Sequence, residues 1–287
     1  MKADISPFRL TIISGYPGAG KTTWLRRQIR EGVFRSHLLF EDLERMRAWL
    51  TEKGAAAAPR NKQVNHLVLE TNGLSSPAEI VEAIHGDGFL SSHLRVAEIV
   101  VVVDGEAGLR RLASEAVCRA QVAMADCVIV TRLDAAGPET VAVLLATLSA
   151  LNPIAPIFGS ARGAEVAFPP HGDVGPIALP QEAGGIAIVI LPLDATMNWT
   201  ALELWLLALL HAHGPNVLRV KGLASGPDGR LLVRAANGQP PQTVIVPAEA
   251  QAGLADKDSI VIVGRGFRAE DLKRSLSYFL DADAQTS

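Results

Sequence analysis

The chain has 287 residues, 48% of them apolar and 20% charged, with a net charge of −3. That is enough for one large core or two moderate ones, and too apolar for a solvated, disordered chain. No apolar run reaches the roughly 18 residues of a membrane-spanning helix, no signal-peptide core opens the chain, and no basic run or positive balance favours nucleic acid, so the expectation is a cytoplasmic protein without membrane or nucleic-acid partners.

From residue 9 to about 158, short β-branched runs alternate with amphipathic stretches, the pattern of a parallel sheet covered by helices on both faces. Strands are expected at 9–14, 64–70, 99–104, 127–131 and 154–158, with helices at 22–33, 41–53, 77–85 and 138–151. The run Ile-Val-Val-Val-Val over 99–103 suits a strand buried on both sides. Prolines and glycines crowd residues 161–185, which reads as a linker between a first domain, 1–160, and a second, 186–287. In the second, a strand at 186–191 and a helix at 198–212 precede strands near 217–223, 230–235, 243–247 and 259–264 and a last helix at 269–280. Strands arriving in succession imply a smaller α+β domain with a mostly antiparallel sheet. Cys118 and Cys127 are too few for a disulfide framework and read as small core side chains.

Between the first strand and the first helix stands Gly15-Tyr16-Pro17-Gly18-Ala19-Gly20-Lys21-Thr22, which fits G-x-x-x-x-G-K-[ST] in the context that pattern requires. Such a loop curls so that successive N–H groups face phosphate oxygens, and the helix behind it adds its positive end. Lys21 is expected to bridge the β- and γ-phosphates and the Thr22 hydroxyl to ligate Mg2+. A P-loop also needs an acid on a neighbouring strand. Glu70, which opens Glu70-Thr71-Asn72-Gly73-Leu74, is preferred because Gly73 can bring a backbone N–H to the γ-phosphate; Asp104 is the second candidate, with helix capping as its competing role. Thr131-Arg132-Leu133-Asp134 follows another apolar strand, where an aspartate can accept from the N1–H and exocyclic amine of guanine, a donor pair that adenine lacks.

Taken together, these residues resemble the CobW-like GTPases, relatives of the accessory GTPases that help deliver metal to urease and hydrogenase. The resemblance runs through Gly15 to Thr23, Glu70 to Leu74 with Pro77, Thr131 to Asp134, and Leu151-Asn152-Pro153 followed by Gly159-Ser160-Ala161. It continues through Leu218-Arg219-Val220-Lys221-Gly222 and Ile262-Val263-Gly264-Arg265-Gly266, which look like the C-terminal domain of that family. It implies Lys21, Glu70 and Gly73 as catalytic residues and Thr22 and Glu70 as the metal pair. The implied nucleotide site is Gly15, Gly18, Ala19, Gly20, Lys21, Thr22, Thr23, Thr131, Arg132, Asp134, Ser160 and Ala161. GTP and Mg2+ are the implied ligands, a client protein or metalloenzyme the implied partner, with a homodimer left open.

Two departures stand out. The family's Cys-x-Cys-Cys metal motif is missing, since no cysteine lies between Lys21 and Glu70, and the interval 22–69 looks shortened. Arg132 takes the place of the family's lysine, replacing a point charge by a planar cation that can stack on a purine. Three readings follow: a slow GTP-hydrolysing accessory protein, a nucleotide-binding assembly module with little hydrolysis, and a metal carrier that uses zinc or another transition metal on Glu41, Asp42 and His66. Glu41 and Asp42 also suit the start of the helix that follows, His211 and His213 suit a helix C-terminus, Arg162 is a candidate arginine finger by position, and Arg219 and Lys221 read as one solvated strand face.

Overall fold

The computed structural model describes residues 7–34, 37–53, 66–170, 172, 174–180, 186–194, 198–226, 229–236, 241–246 and 258–284. It divides into two units, one of Met1–Leu151 with Ile157–Pro180 and one of Asn152–Pro156 with Gln181–Ser287.

The first unit is built on seven strands, β1 (Phe8–Ser14), β2 (His37–Phe40), β3 (His66–Glu70), β4 (Leu94–Asp104), β5 (Cys127–Thr131), β6 (Ile157–Ala161) and β7 (Ala164–Val166), in the spatial order β2-β3-β1-β4-β5-β6-β7. All neighbours are parallel except β6 and β7. From β1 the chain moves first to one side of the sheet and later to the other, so a crevice opens beyond the carboxyl end of β1, where open α/β sheets bind their ligands. The register aligns the ends of the neighbouring strands with it. Ile13 pairs with Glu70, Ser14 with Val101, and Asp104 with Thr131. Burial follows the β-branched runs: Ile12 and Ile13 of β1 and Ile99 to Val103 of β4 are buried.

Helices α1 (Lys21–Arg30), α2 (Leu43–Lys53), α3 (Pro77–Gly86), α4 (Gly88–His93), α5 (Gly108–Ser114), α6 (Ala116–Met124) and α7 (Pro138–Leu151) connect these strands. α3 starts on a capping box, with Ser76 accepting from Ala78 N and Glu79 from Ser76 N. The sequence pattern misses β2, an edge strand of only four residues, and the short helices α4, α5 and α6. It also places β6 three residues early. Pro153 and Pro156 keep the chain out of the ladder until Ile157, and Asn152 Oδ1 closes the intervening turn on Ala155 N at 3.2 Å. β7 lies inside the Pro/Gly-rich stretch 161–185 and pairs Ala164 with Ala161.

In the second unit, β8 (Ala187–Pro192), β9 (Val217–Gly226), β10 (Gly229–Ala236), β11 (Gln242–Ile245) and β12 (Ser259–Gly264) form an antiparallel sheet in the order β11-β10-β9-β12-β8. α8 (Trp199–His213) and α9 (Ala269–Ala284) share one apolar core with it, centred on Leu202, Trp205, Val220, Ile262 and Leu276. Alternation along β9 does not leave Lys221 in solvent. It is 4% exposed, and its Nζ donates to Ile154 O at 3.4 Å, while Arg219 is half-buried. A cation can be covered where a strand brings it against a carbonyl that accepts from it, and alternation alone gives no sign of that. Among the described residues, no helix is long and apolar enough to cross a membrane.

Trp205 is the largest fully buried side chain, and its indole N–H donates to Ser275 Oγ at 3.0 Å, joining α8 to α9. Trp205→Ala is expected to destabilise the second unit by about 3–5 kcal/mol, read as a lowered urea midpoint, with Trp205→Phe costing clearly less because most of the apolar volume remains.

Candidate functional site

The loop between β1 and α1 takes its shape from glycines at positive φ, the left-handed region that side chains disfavour. Gly15, Gly18 and Gly20 have φ of 133°, 81° and 92°. At Gly15 there is no room for a side chain, because a Cβ would lie 2.1 Å from Val102 O. Gly20 caps α1 through its backbone alone, and no acidic residue sits in the first turn, so no side chain competes with a ligand for the first helical N–H groups.

Lys21 is 7% exposed and folds back over the loop, with Nζ donating to Gly15 O at 2.6 Å and to Tyr16 O at 3.3 Å. Burial holds its pKa below the usual lysine value, opposed by the attraction of Glu70. Two neutral carbonyls compensate a buried ammonium poorly, so a phosphate arriving here meets a strong unbalanced field. The Thr22 hydroxyl donates to Glu70 Oε1 in a short hydrogen bond. Parallel pairing of β1 with β3 therefore brings a hydroxyl and a carboxylate 48 residues apart into contact, two hard oxygen donors of the kind Mg2+ selects.

Beyond Glu70 the chain turns back across the loop. Thr71 N donates to Ile13 O at 2.9 Å, and Asn72 Oδ1 accepts from Leu74 N at 2.9 Å. Gly73 then sits against the loop at φ 89°, where a Cβ would lie 2.5 Å from Gly15 O, 2.7 Å from Lys21 Nζ and 2.8 Å from Pro17 N. Sequence reasoning had no signal for what holds this segment. Gln121 of α6, 1% exposed, donates from Nε2 to Gly73 O at 3.0 Å and to Ser75 O at 3.2 Å.

On the other side of β1, Thr131 Oγ1 donates to Ala19 O at 2.7 Å, so the end of β5 is hydrogen-bonded to the phosphate loop. Arg132 has φ 56°; its Nη1 reaches Asp104 Oδ2 at 2.7 Å and its Nη2 donates to Gly18 O at 2.9 Å. Asp104 does both things open to it at a strand end other than meeting Thr22. Its Oδ1 holds the turn that leads into α5 by accepting from Glu106 N at 2.9 Å and Ala107 N at 3.2 Å, and its Oδ2 takes the arginine. Asp134 lies farther out and pairs with the exposed Arg162, Nε to Oδ2 at 3.3 Å, so the two residues expected to serve as arginine finger and as base acceptor hold each other. Leu133 N donates to Ser160 O at 3.3 Å, which ties the 131–134 segment to β6. Ser160 is buried with its Oγ unpaired among the described residues, and Ala161 is half-buried.

The alternative metal set does not converge. Asp42 Oδ1 accepts from Arg45 N at 2.7 Å and starts α2, and Glu41 pairs with Arg45 at 3.0 Å. His66 pairs with His37 at the opposite end of the two strands, about 13 Å or more along them from Glu41 and Asp42 at roughly 3.3 Å per residue, and bonds Thr11 Oγ1 at 2.8 Å. Among the described residues, no three His, Cys, Asp or Glu side chains could hold a metal together.

A cavity of about 250 Å3 lies behind the loop, lined by Tyr16 to Ala19, the end of β4, Cys118, Gln121 and Arg132. The Arg111 guanidinium covers the Tyr16 ring at 4.4 Å beside it.

The parallel sheet with its phosphate loop, and the separate antiparallel domain, define a P-loop protein of the GTPase fold. Residues 35–159 match the model of the CobW/HypB/UreG nucleotide-binding domain, and residues 186–280 match the cobalamin synthesis protein CobW C-terminal domain. The chain belongs to the CobW family, carrying both of its domains in order. The first of these matches begins after the phosphate loop, so Gly15 to Thr22 is independent support. A curated relative, zinc-regulated GTPase metalloprotein activator 1 of Schizosaccharomyces pombe, is 25% identical over 195 residues, 56% of this chain. The match takes in 47% of that relative, so the chain spans about half its length. The Zn(II)-bound YjiA GTPase from E. coli has a similar fold, with a TM-score of 0.59 over 96% of this chain and 99% of that one at 18% identity. A Zn(II)-bound triple mutant of YjiA GTPase aligns over the same shares with a TM-score of 0.60, also at 18% identity.

Burial raises the Cys118 thiol to about 11. At pH 8 only about one Cys118 in a thousand is then thiolate. Cys118 is expected to resist a disulfide reagent at that pH in the folded protein and to react promptly in denaturant, with Cys127, which is half-buried, modified first; fast labelling of Cys118 in the folded chain would contradict the burial described.

Proposed function

We propose that this chain binds GTP in the crevice at the end of β1, hydrolyses it slowly, and uses the cycle as a cytoplasmic accessory protein for a client metalloenzyme docked by the second domain. The observation that carries this reading is the glycine-shaped loop after β1, with Lys21 folded over it on one side and the Thr22–Glu70 pair on the other. The family match and the name of the curated relative support it.

The residues divide the work. Loop amides and Lys21 hold the β- and γ-phosphates and offset charge that develops on the bridging oxygen. Thr22 and Glu70 would hold Mg2+, whose contribution when bound is to neutralise phosphate charge. Gly73, held by Gln121, lies close against Lys21, where its N–H would meet a γ-phosphate. Asp134 accepts from guanine once Arg162 yields, and Thr131, Ser160 and Ala161 wall the base. With Arg162 bound to Asp134, this arginine is held away from the role of a finger, and intrinsic turnover is expected to be low.

A second reading is favoured by one observation. The chain has no thiolate between Lys21 and Glu70, and Glu41, Asp42 and His66 lie apart, so the accessory role does not run through a transition metal carried on those residues. Nucleotide-controlled docking of the client is the part of the family's work this chain keeps.

Trp24 stands two residues past Thr22, and its fluorescence serves as the reporter. Lys21→Ala is expected to weaken GTP by about a hundredfold or more, and Glu70→Gln to raise the Mg2+ concentration needed for phosphate release. Phosphate release should exceed background with GTP and Mg2+, fall without Mg2+, and fall with ATP; unchanged GTP affinity in Lys21→Ala would remove the phosphate site from the account.

A further inference from the structure

We infer that Asp104 is a positioning residue for base recognition, fixing the Arg132 guanidinium as a flat platform against which the purine stacks. This inference rests on the GTP-binding reading above and adds to it a residue that no part of the phosphate chemistry requires. Three observations carry it. The first is that both terminal nitrogens of Arg132 are committed, Nη1 to Asp104 Oδ2 at 2.7 Å and Nη2 to Gly18 O at 2.9 Å. Two bonds along one edge of a planar group fix its rotation as well as its position, which a lysine ammonium on a flexible stem cannot reproduce.

Second, the carboxylate that does this is itself fixed. Asp104 is 8% exposed, ends β4 directly opposite Thr131 in the parallel ladder, and has its other oxygen occupied by two N–H groups at the start of α5. The orientation of Arg132 is thus inherited from the sheet. Third, Arg132 keeps half of its side-chain surface exposed, while the acid holding it keeps a tenth, so the held arginine is still open to a ligand. A cation so held, beside a loop that contacts the phosphates and a segment that ends in Asp134, presents an aromatic-binding plane with little ordering left to do when the base arrives.

The same arrangement explains how arginine is tolerated where the family carries lysine. A longer, planar cation left loose here would sweep the base site; the acid at the end of β4 removes that freedom. Arg132 and Asp104 therefore act as one unit, and the base, not the triphosphate, should register its loss.

The test is a double-substitution cycle on Asp104→Asn and Arg132→Lys, chosen because asparagine keeps an oxygen for the Glu106 and Ala107 N–H groups while losing the charge that holds Arg132. Affinities for GTP, GDP and inorganic tripolyphosphate are measured with Mg2+ present, alongside KM and kcat for GTP. Asp104→Asn is expected to weaken GTP and GDP by roughly fivefold and raise KM to match, with tripolyphosphate affinity and kcat held within about twofold. Arg132→Lys should lose a similar factor, and the double variant no more than Arg132→Lys alone. Equal weakening toward tripolyphosphate, a fall in kcat with KM unchanged, or losses that multiply in the double variant would each overturn the inference. If the unaltered protein binds tripolyphosphate but shows no added affinity for GTP, this inference fails while the phosphate site stands; if it binds neither, the parent reading fails with it.

Discussion

Parallel pairing of β1 with β3 on one side and β4 on the other is the constraint from which the site descends. It places Ile13 opposite Glu70 and Ser14 opposite Val101, so that the loop leaving β1 emerges between an acid and a densely apolar strand end. Gly15 passes so close to Val102 O that only glycine fits. Once the loop is pressed in this way, Lys21 is buried against its own carbonyls and Thr22 meets Glu70. Burial of an ammonium that carbonyls only partly satisfy leaves an electrostatic deficit, of the kind that an anion such as a phosphate would offset.

Around this centre the structure adds holders that keep mobile-looking segments in place. Gln121 grips Gly73 and Ser75 from α6, Thr131 bonds Ala19, and Arg132 bridges Asp104 and Gly18. Each joins a segment that would sense one part of a nucleotide to a buried element of the sheet or its helices. The Gly73 segment is thereby bonded to α6, and the 131–132 segment to the loop after β1 and the end of β4. What the second domain contributes is a separate core of its own, built on α8, α9 and one face of an antiparallel sheet.

How much of this could be read from residues alone varied with the range of the interaction involved. The phosphate loop, the strands flanking it and the acid at Glu70 announce themselves through local pattern, because glycine spacing and β-branched runs encode conformation within a few residues. The family was legible for the same reason. Gln121 and the Asp104–Arg132 pair were not, since their partners lie 48 and 28 residues away and nothing local marks a side chain chosen for a distant contact. Lys221 misled for a related cause: alternation along a strand tells which face a residue takes, not whether that face is covered. β2 and the helices α4 to α6 escaped because four to nine residues hold too few turns or alternations to show a period. The proposed metal trio failed on topology, for Glu41 and His66 are placed at opposite ends of paired strands.

The central claim concerns main-chain amides, so the most direct measurement is amide hydrogen exchange across residues 15–24 with and without GTP and Mg2+, and again with inorganic tripolyphosphate. The account predicts strong protection of the loop and first turn of α1 by either ligand, with the 131–134 segment protected by GTP alone. Unchanged exchange in the loop at saturating GTP, or protection confined to other parts of the chain, would contradict it.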